Sequence, residues 1–357
     1  MGNKIKEILF FRKNLQLTRP YTISFKTVDK VENFIIKIKL ENGIVGWGAC
    51  NPSKQVIGYD LTDVENDLNQ KTWEPLIGKN IHTLFSHLDF IHHQLSFNPA
   101  TRTAFDLALH DAFTQALGIP LVDFWGQQIE SLPTSITIGI KNVQETLKEA
   151  DEYYSRGFDH LKIKLGHSLD EDIERLVKLR EKFGAKIVLR IDANQGYSLE
   201  QTHTFFEKTN SLQLELVEQP TPAKQWQEWR TLPQEYSQKI VADESLLNED
   251  DAMKLILPTP ACGIFNIKLM KCGGLLPAFK IASMAHSSQL QLMWGCNDES
   301  IISITAALHI ALSFKNTCYL DLDGSLDLAE DIVTGGFEIK NGKMKILKSK
   351  GLGLREV

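Results

Sequence analysis

Residues 186–192 read KIVLRID, a short β-branched and apolar run that ends in a carboxylate. The pattern recurs downstream: LELVEQ (214–219) carries Glu218, KIVADE (239–244) carries Asp243, and IFNIKL (264–269) carries Lys268. The steps Asp192 to Glu218, Glu218 to Asp243 and Asp243 to Lys268 are 26, 25 and 25 residues. One strand, one helix and two loops consume that much chain. The spacing therefore predicts a (β/α) barrel with these four residues at the carboxyl ends of consecutive strands, the face that holds the active site in this fold. Working outward, SITIGI (135–140) and HLKIKL (160–165) precede the series, and LQLMWG (290–295) and CYLDLD (318–323) follow it, giving eight strands.

Upstream, NFIIKIKLENGIVGWGA (33–49) alternates like paired strands around an ENG turn, and TRTAFDLALHDAFTQAL (101–117) has helical periodicity. The reading is an α/β protein: a (β/α)7β TIM-like barrel with an α+β capping domain. Residues 1–130 form the cap, 131–325 the barrel, and 326–357, with the hairpin-like GGFEIKNGKMKIL, return to the cap.

Composition narrows the function. The 357 residues are 43% hydrophobic and 24% charged, with a formal net charge of −6 and no run of five like charges, so neither nucleic acid nor an anionic membrane is an expected partner. A small molecule is, with a homo-oligomer left open. Five scattered cysteines form neither a disulfide framework nor a C-x-x-C zinc site and fit a reducing cytoplasm. The four-residue apolar run before Arg12 is too short for a signal-peptide core, and no segment approaches a transmembrane span. The two commonest nucleotide-binding glycine motifs are absent.

Asp192, Glu218 and Asp243 on adjacent strands would repel one another, and a hard cation such as Mg²⁺ resolves that repulsion. The plainer alternative is that each acid caps a helix or pairs with a lysine. Asn194 and Glu244, beside the acids, are placed to support them. Lys162 and Lys164 alternate along one strand and so share a face; Lys268 lies across the acids from them. The charge of Lys162, with the metal, is expected to lower the pKa of Lys164 into the range of a base, and the metal to stabilise an enediolate. Asp321 and Asp323 also share a face, suited to a second metal, a helix cap or a substrate ammonium.

The series KIK, DANQG, VEQP, ADES, NIKLMKCGG and DLDG resembles the enolase superfamily, in its muconate-lactonizing-enzyme subgroup, and within it the dipeptide epimerases of the Ala-Glu type. The resemblance implies Mg²⁺ on Asp192, Glu218 and Asp243. It makes Lys164 and Lys268 the opposed acid and base for 1,1-proton transfer at the C-terminal α-carbon of a dipeptide, assisted by Lys162. Asp321 and Asp323 would hold the α-ammonium, with Thr137 contacting the substrate. Two departures from the Ala-Glu pattern bear on specificity. Lys26 stands where an arginine reads the glutamate side chain, and Asn297 and Asp298 replace apolar residues. If Lys26 and Asp298 neutralise each other, the pocket suits small or apolar Xaa in Ala-Xaa first and Ala-Glu second. An o-succinylbenzoate synthase or cycloisomerase would use the same lysines and metal, and a non-catalytic binding barrel would need neither opposed lysine.

Overall fold

The structure, a computed structural model, describes residues 2–23, 26–95 and 98–357, with no side-chain description for residues 19–28. Strands β1 (Ile5–Ile23), β2 (Lys26–Leu40) and β3 (Val45–Cys50) form an antiparallel sheet. The helix Pro99–Leu117 starts with Asn98 accepting from Ala100 N and Thr101 N, with Pro99 in its first turn, a favourable start because proline has no orphan N–H there. It lies directly on β3: a Cβ added at Gly46 or Gly48 would fall on the carbonyl oxygens of Ala108 and Ala104. These two glycines let backbone meet backbone. Phe34, Ile36 and Ile38 of β2 join Ala104 and Phe105 in the cap's core, whereas Ile35, Trp47 and Ala49 face the core that runs into the barrel.

After β4 (Ser131–Pro133) come the eight barrel strands, β5 (Ile136–Ile138), β6 (His160–Lys164), β7 (Val188–Asp192), β8 (Leu216–Glu218), β9 (Ile240–Ala242), β10 (Ile264–Ile267), β11 (Gln291–Gly295) and β12 (Thr317–Asp321). They pair in chain order, all parallel. A bridge between Thr134 and Leu320, with Ser135 N donating to Leu320 O at 2.9 Å, joins the last strand to the first. The eight strands thus fall where the sequence spacing puts them. One connection differs from the expected crossover helices: between β8 and β9 the chain runs through tight 3-10 turns (Ala223–Thr231) and one short helix (Gln234–Ser237). Prolines 222 and 233 bracket that stretch, and proline inside a longer helix would remove its hydrogen bonds.

Alternation along the strands sorts the barrel interior into layers. Leu216, Val241, Ile264 and Met293 fill the lower interior. Buried Arg190, two residues below Asp192, donates to Glu215 at 2.6 Å, Leu320 O at 2.7 Å and Ser135 Oγ at 3.2 Å. The last part of the chain meets both halves. Its hairpin (Phe337–Lys340 with Lys343–Ile346) pairs with β4, while Leu352 N donates to Asp111 Oδ1 at 2.8 Å on the cap helix. Asp111 also accepts from Trp47 N at 2.8 Å, so one buried carboxylate ties cap helix, cap sheet and C-terminal segment together.

His110 and His309 are packed histidines, as their helical positions suggest. His309 Nδ1 accepts from Val122 N at 2.9 Å, and burial pushes its pKa down to about 3. The unfolded chain binds a proton near pH 6.5 that the folded chain refuses, so stability is intact above that pH and falls as pH drops toward 3. Denaturant titrations from pH 7 to 4 should show wild type losing up to about 1.4 kcal/mol per pH unit from this group. A His309→Asn variant, which keeps an acceptor for Val122, should lack that component of the slope.

Candidate active site

The carboxyl ends of β6 to β12 gather charge into a small volume. Lys162 points into the barrel, 2% exposed, with its ammonium 3.2 Å from Asp192, 2.7 Å from Glu218 and 2.7 Å from Asp321. Lys164, two residues on, reaches the same carboxylate of Asp192 at 2.9 Å. Across the mouth, Lys268 donates to Asp243 Oδ2 at 2.8 Å. The two lysines expected to act in opposition therefore stand at either end of the β7–β9 carboxylates, each hydrogen-bonded to one of them.

The geometry gives Lys162 partners of its own. Its charge is spent on three carboxylates, which, against the lowering effect of burial, hold its pKa well above the ordinary lysine value. It is a buried counter-ion to Asp192, Glu218 and Asp321 beneath the site. Burial would raise the Asp192 pKa, but Lys164 and Lys162 overcome it and hold the group below its usual range. Lys268 and Lys271 do the same for Asp243.

Several groups that strand-end reasoning missed complete the arrangement. Buried Lys271 donates to Asp243 Oδ1 and, at 2.6 Å, to Asp243 O. Asn266 Nδ2 donates to Glu218 Oε1 at 2.8 Å; it lies two residues before Lys268, so the alternation that pairs Lys162 with Lys164 would have found it. Gln219, at φ 36°, turns its amide oxygen to Asp243 N at 3.0 Å and Ser245 N at 3.1 Å. Asn194 serves through its backbone, its N–H donating to Asp192 Oδ1 at 3.0 Å.

Asp321 and Asp323 have separate partners. Asp321 is buried and accepts from Lys162 and, at 2.7 Å, from Ser135 Oγ. Asp323 stands above it at the mouth, accepting from Thr137 N at 2.8 Å, so Thr137 is a partner of Asp323. Asn297 donates from Nδ2 to Asn51 O of the cap at 3.3 Å and from its backbone to Glu299 Oε1 at 2.8 Å, stitching the loop after β11 to the cap. The side chain of Lys26 lies outside the described residues, so its pairing with Asp298 does too.

The charge balance tests whether a cation fits. Asp192, Glu218, Asp243, Glu244, Asp321 and Asp323 face only Lys162, Lys164, Lys268 and Lys271. The surplus shows as carboxyls that resist ionisation: Glu218 is pushed up to about 8 by burial and by Asp192 and Asp243, against the pull of Lys162. Glu244 is pushed up to about 7 by burial and Asp243, with Oε2 buried and unpartnered. Asp323 reaches about 7 through burial and Asp321. Among the described residues no three acids are drawn into a ready cation cage, because ammonium groups hold their oxygens. An all-oxygen donor set in which carboxyls outnumber ammonium groups nevertheless suits a hard divalent cation.

A capped (β/α) barrel with opposed lysines flanking strand-end acids defines a class of enzyme that moves protons next to a carboxylate. Residues 5–126 match the mandelate racemase/muconate lactonizing enzyme N-terminal domain, and residues 145–355 the enolase C-terminal domain-like family. The chain belongs to the enolase superfamily, in its mandelate racemase/muconate lactonizing enzyme branch. It is 49% identical to an L-Lys-D/L-Arg epimerase of Desulforapulum autotrophicum, over 99% of this chain and 100% of that one. It is 32% identical to the L-Ala-D/L-Glu epimerase of Bacillus subtilis, over 98% and 96%. The dipeptide epimerase of Methylococcus capsulatus, solved with Mg and the dipeptide L-Arg-D-Lys, superposes with a TM-score of 0.96 at 45% identity, covering 98% of this chain and 99% of that one.

Lys271 offers a test of the site's electrostatics. In Lys271→Met a buried carboxylate loses one of its two ammonium partners, and the metal-free protein should lose about 3 kcal/mol of unfolding free energy in urea titrations. An unchanged midpoint would show that Lys268 alone satisfies Asp243.

Proposed function

We propose that this protein is a Mg²⁺-dependent dipeptide epimerase that inverts the α-carbon of the C-terminal residue, with cationic dipeptides of the Lys-Arg kind as its first substrates. The observation that carries the reading is the pair of lysines, Lys164 and Lys268, hydrogen-bonded to Asp192 and Asp243 at opposite ends of one carboxylate array. Binding alone requires no such pair. In one direction, neutral Lys164 takes the α-proton, the C–H electron pair moves toward the carboxylate carbon, and ammonium Lys268 delivers a proton to the opposite face. The reverse direction exchanges their roles. Lys162 supplies fixed positive charge beneath the substrate carboxylate. Asp323, backed by Asp321, takes the dipeptide's α-ammonium. Mg²⁺ held by Asp192, Glu218 and Asp243 would neutralise the carboxylates that pin both lysines and offset charge building on the substrate carboxylate.

The substrate order differs from the Ala-Xaa expectation because the relatives of highest identity reported above act on cationic dipeptides. The similar Desulforapulum and Methylococcus proteins are L-Lys-D/L-Arg epimerases, 49% and 45% identical to this chain. Ala-Xaa dipeptides are the second choice, supported by the lower similarity to the L-Ala-D/L-Glu epimerase.

The test is ¹H NMR of Lys-Arg, Arg-Lys and Ala-Xaa dipeptides in D₂O with protein and Mg²⁺. Loss of the C-terminal α-proton signal is expected fastest for the cationic pair. Epimerisation should fall by at least about 100-fold in Lys164→Ala or Lys268→Ala and vanish with EDTA. Faster exchange of Ala-Xaa would reverse the substrate order, and no exchange in any dipeptide would sink the epimerase.

A further inference from the structure

Both lysines stand at the ends of barrel strands, but the chain that follows each is braced by different parts of the molecule. The chain around Lys164 is braced from within the barrel. Leu165 N donates to Asp192 O at 2.8 Å, Gly166 N to Asp172 Oδ2 at 2.9 Å, and Arg175 Nη1 to Lys164 O at 3.3 Å. Tyr197 fixes Asp172 in turn, its hydroxyl donating at 2.7 Å.

Lys268 is different. The segment after it, Leu269–Leu276, lies along the cap helix Pro99–Leu117. Thr103 Oγ1 donates to Leu269 O at 2.8 Å, a hydrogen it shares with Pro99 O at 2.9 Å. Met270 is buried in the cap's own hydrophobic core. Fully buried Asp106 accepts from Leu275 N at 2.7 Å and Leu276 N at 3.3 Å. Between these anchors Gly273 and Gly274 take φ values of 99° and 116°, conformations open to glycine, and a Cβ at Gly274 would sit 2.5 Å from Asp106. The close approach is therefore built into both partners.

We propose that Thr103 and Asp106 are positioning residues for Lys268 alone, so that the capping domain sets the geometry of one face of the proton transfer while the barrel sets the other. This rests on the two-lysine reading above. A general base must stand within about 3 Å of the proton it removes, and small displacements are costly, up to about 100-fold for 1 Å. Loosening the brace should therefore harm the stereoisomer whose α-proton faces Lys268. The other stereoisomer should still be deprotonated by Lys164, exchange its hydrogen with solvent and return to its starting configuration.

The experiment uses the full chain with Mg²⁺ in D₂O and each C-terminal stereoisomer separately, L-Lys-L-Arg and L-Lys-D-Arg or the best substrate found above. It reads α-proton exchange with retention as well as net inversion. Lys164→Ala and Lys268→Ala establish which stereoisomer each lysine serves. In Thr103→Val, and independently in Asp106→Asn should the first variant fail to fold, exchange from the Lys268 stereoisomer should fall at least about tenfold. Exchange with retention from the Lys164 stereoisomer should stay near the wild-type rate, and Thr103→Ser should restore symmetry. A purely structural defect lowers the amount of active protein and slows both stereoisomers equally; that result, or no change in either, overturns the proposal. A wild type that exchanges neither stereoisomer sinks the two-lysine reading and the brace with it, an outcome separable from variants that lose both.

Discussion

Lys162 brings a positive charge into a position 2% exposed, and the top of the barrel is organised by the carboxylates that answer it. Desolvating an ammonium group costs several kcal/mol, repaid only by well-placed opposite charge. Here the partners come from β7, β8 and β12. One ion on β6 therefore links four strands, including the last, which lies beside the first. Arg190 makes a similar tie one layer down through Ser135 and Leu320 O. Removing Lys162 would leave Glu218 Oε2 buried without a partner.

That solution overshoots. Six carboxyls surround four lysines, and Glu218, Glu244 and Asp323 keep their protons to about pH 8, 7 and 7. A fold selected for stability alone gains nothing from such groups, because apolar side chains of similar volume would fill the space without the desolvation cost. Buried acids with perturbed pKa values at the mouth of a barrel are a signature of a working site.

The sequence made the strand ends legible because the βα unit has a nearly constant length. Asp192, Glu218, Asp243 and Lys268 could be placed by counting, and Lys162 and Lys164 by alternation. Asn266 was legible by the same alternation and was overlooked. Lys271 was not, since it sits on a short helix after β10, where strand alternation no longer says which way a side chain points. Gln219 reaches Asp243 only because its backbone adopts a positive φ that no propensity rule assigns to glutamine. The partners of Lys162 were hidden for a related reason: counting finds neighbours along one strand, whereas its partners come from three others.

Specificity is the least legible layer because it depends on contacts between domains. The loop after β11 is fixed by Asn297 reaching Asn51 O of the cap, and Asn51 in turn donates to Glu32 O of β2 at 2.7 Å. Each of these residues is unremarkable alone, and their sequence separation hides the pairing. Charge remains readable where contact is not. On the function proposed above, an acid-rich mouth would favour a cationic substrate before any side chain is recognised and would penalise a dipeptide ending in glutamate. On that reading, selection against the wrong charge would be imposed by the same acids that hold the lysines, and the cross-domain loops would discriminate among cationic side chains by size and reach.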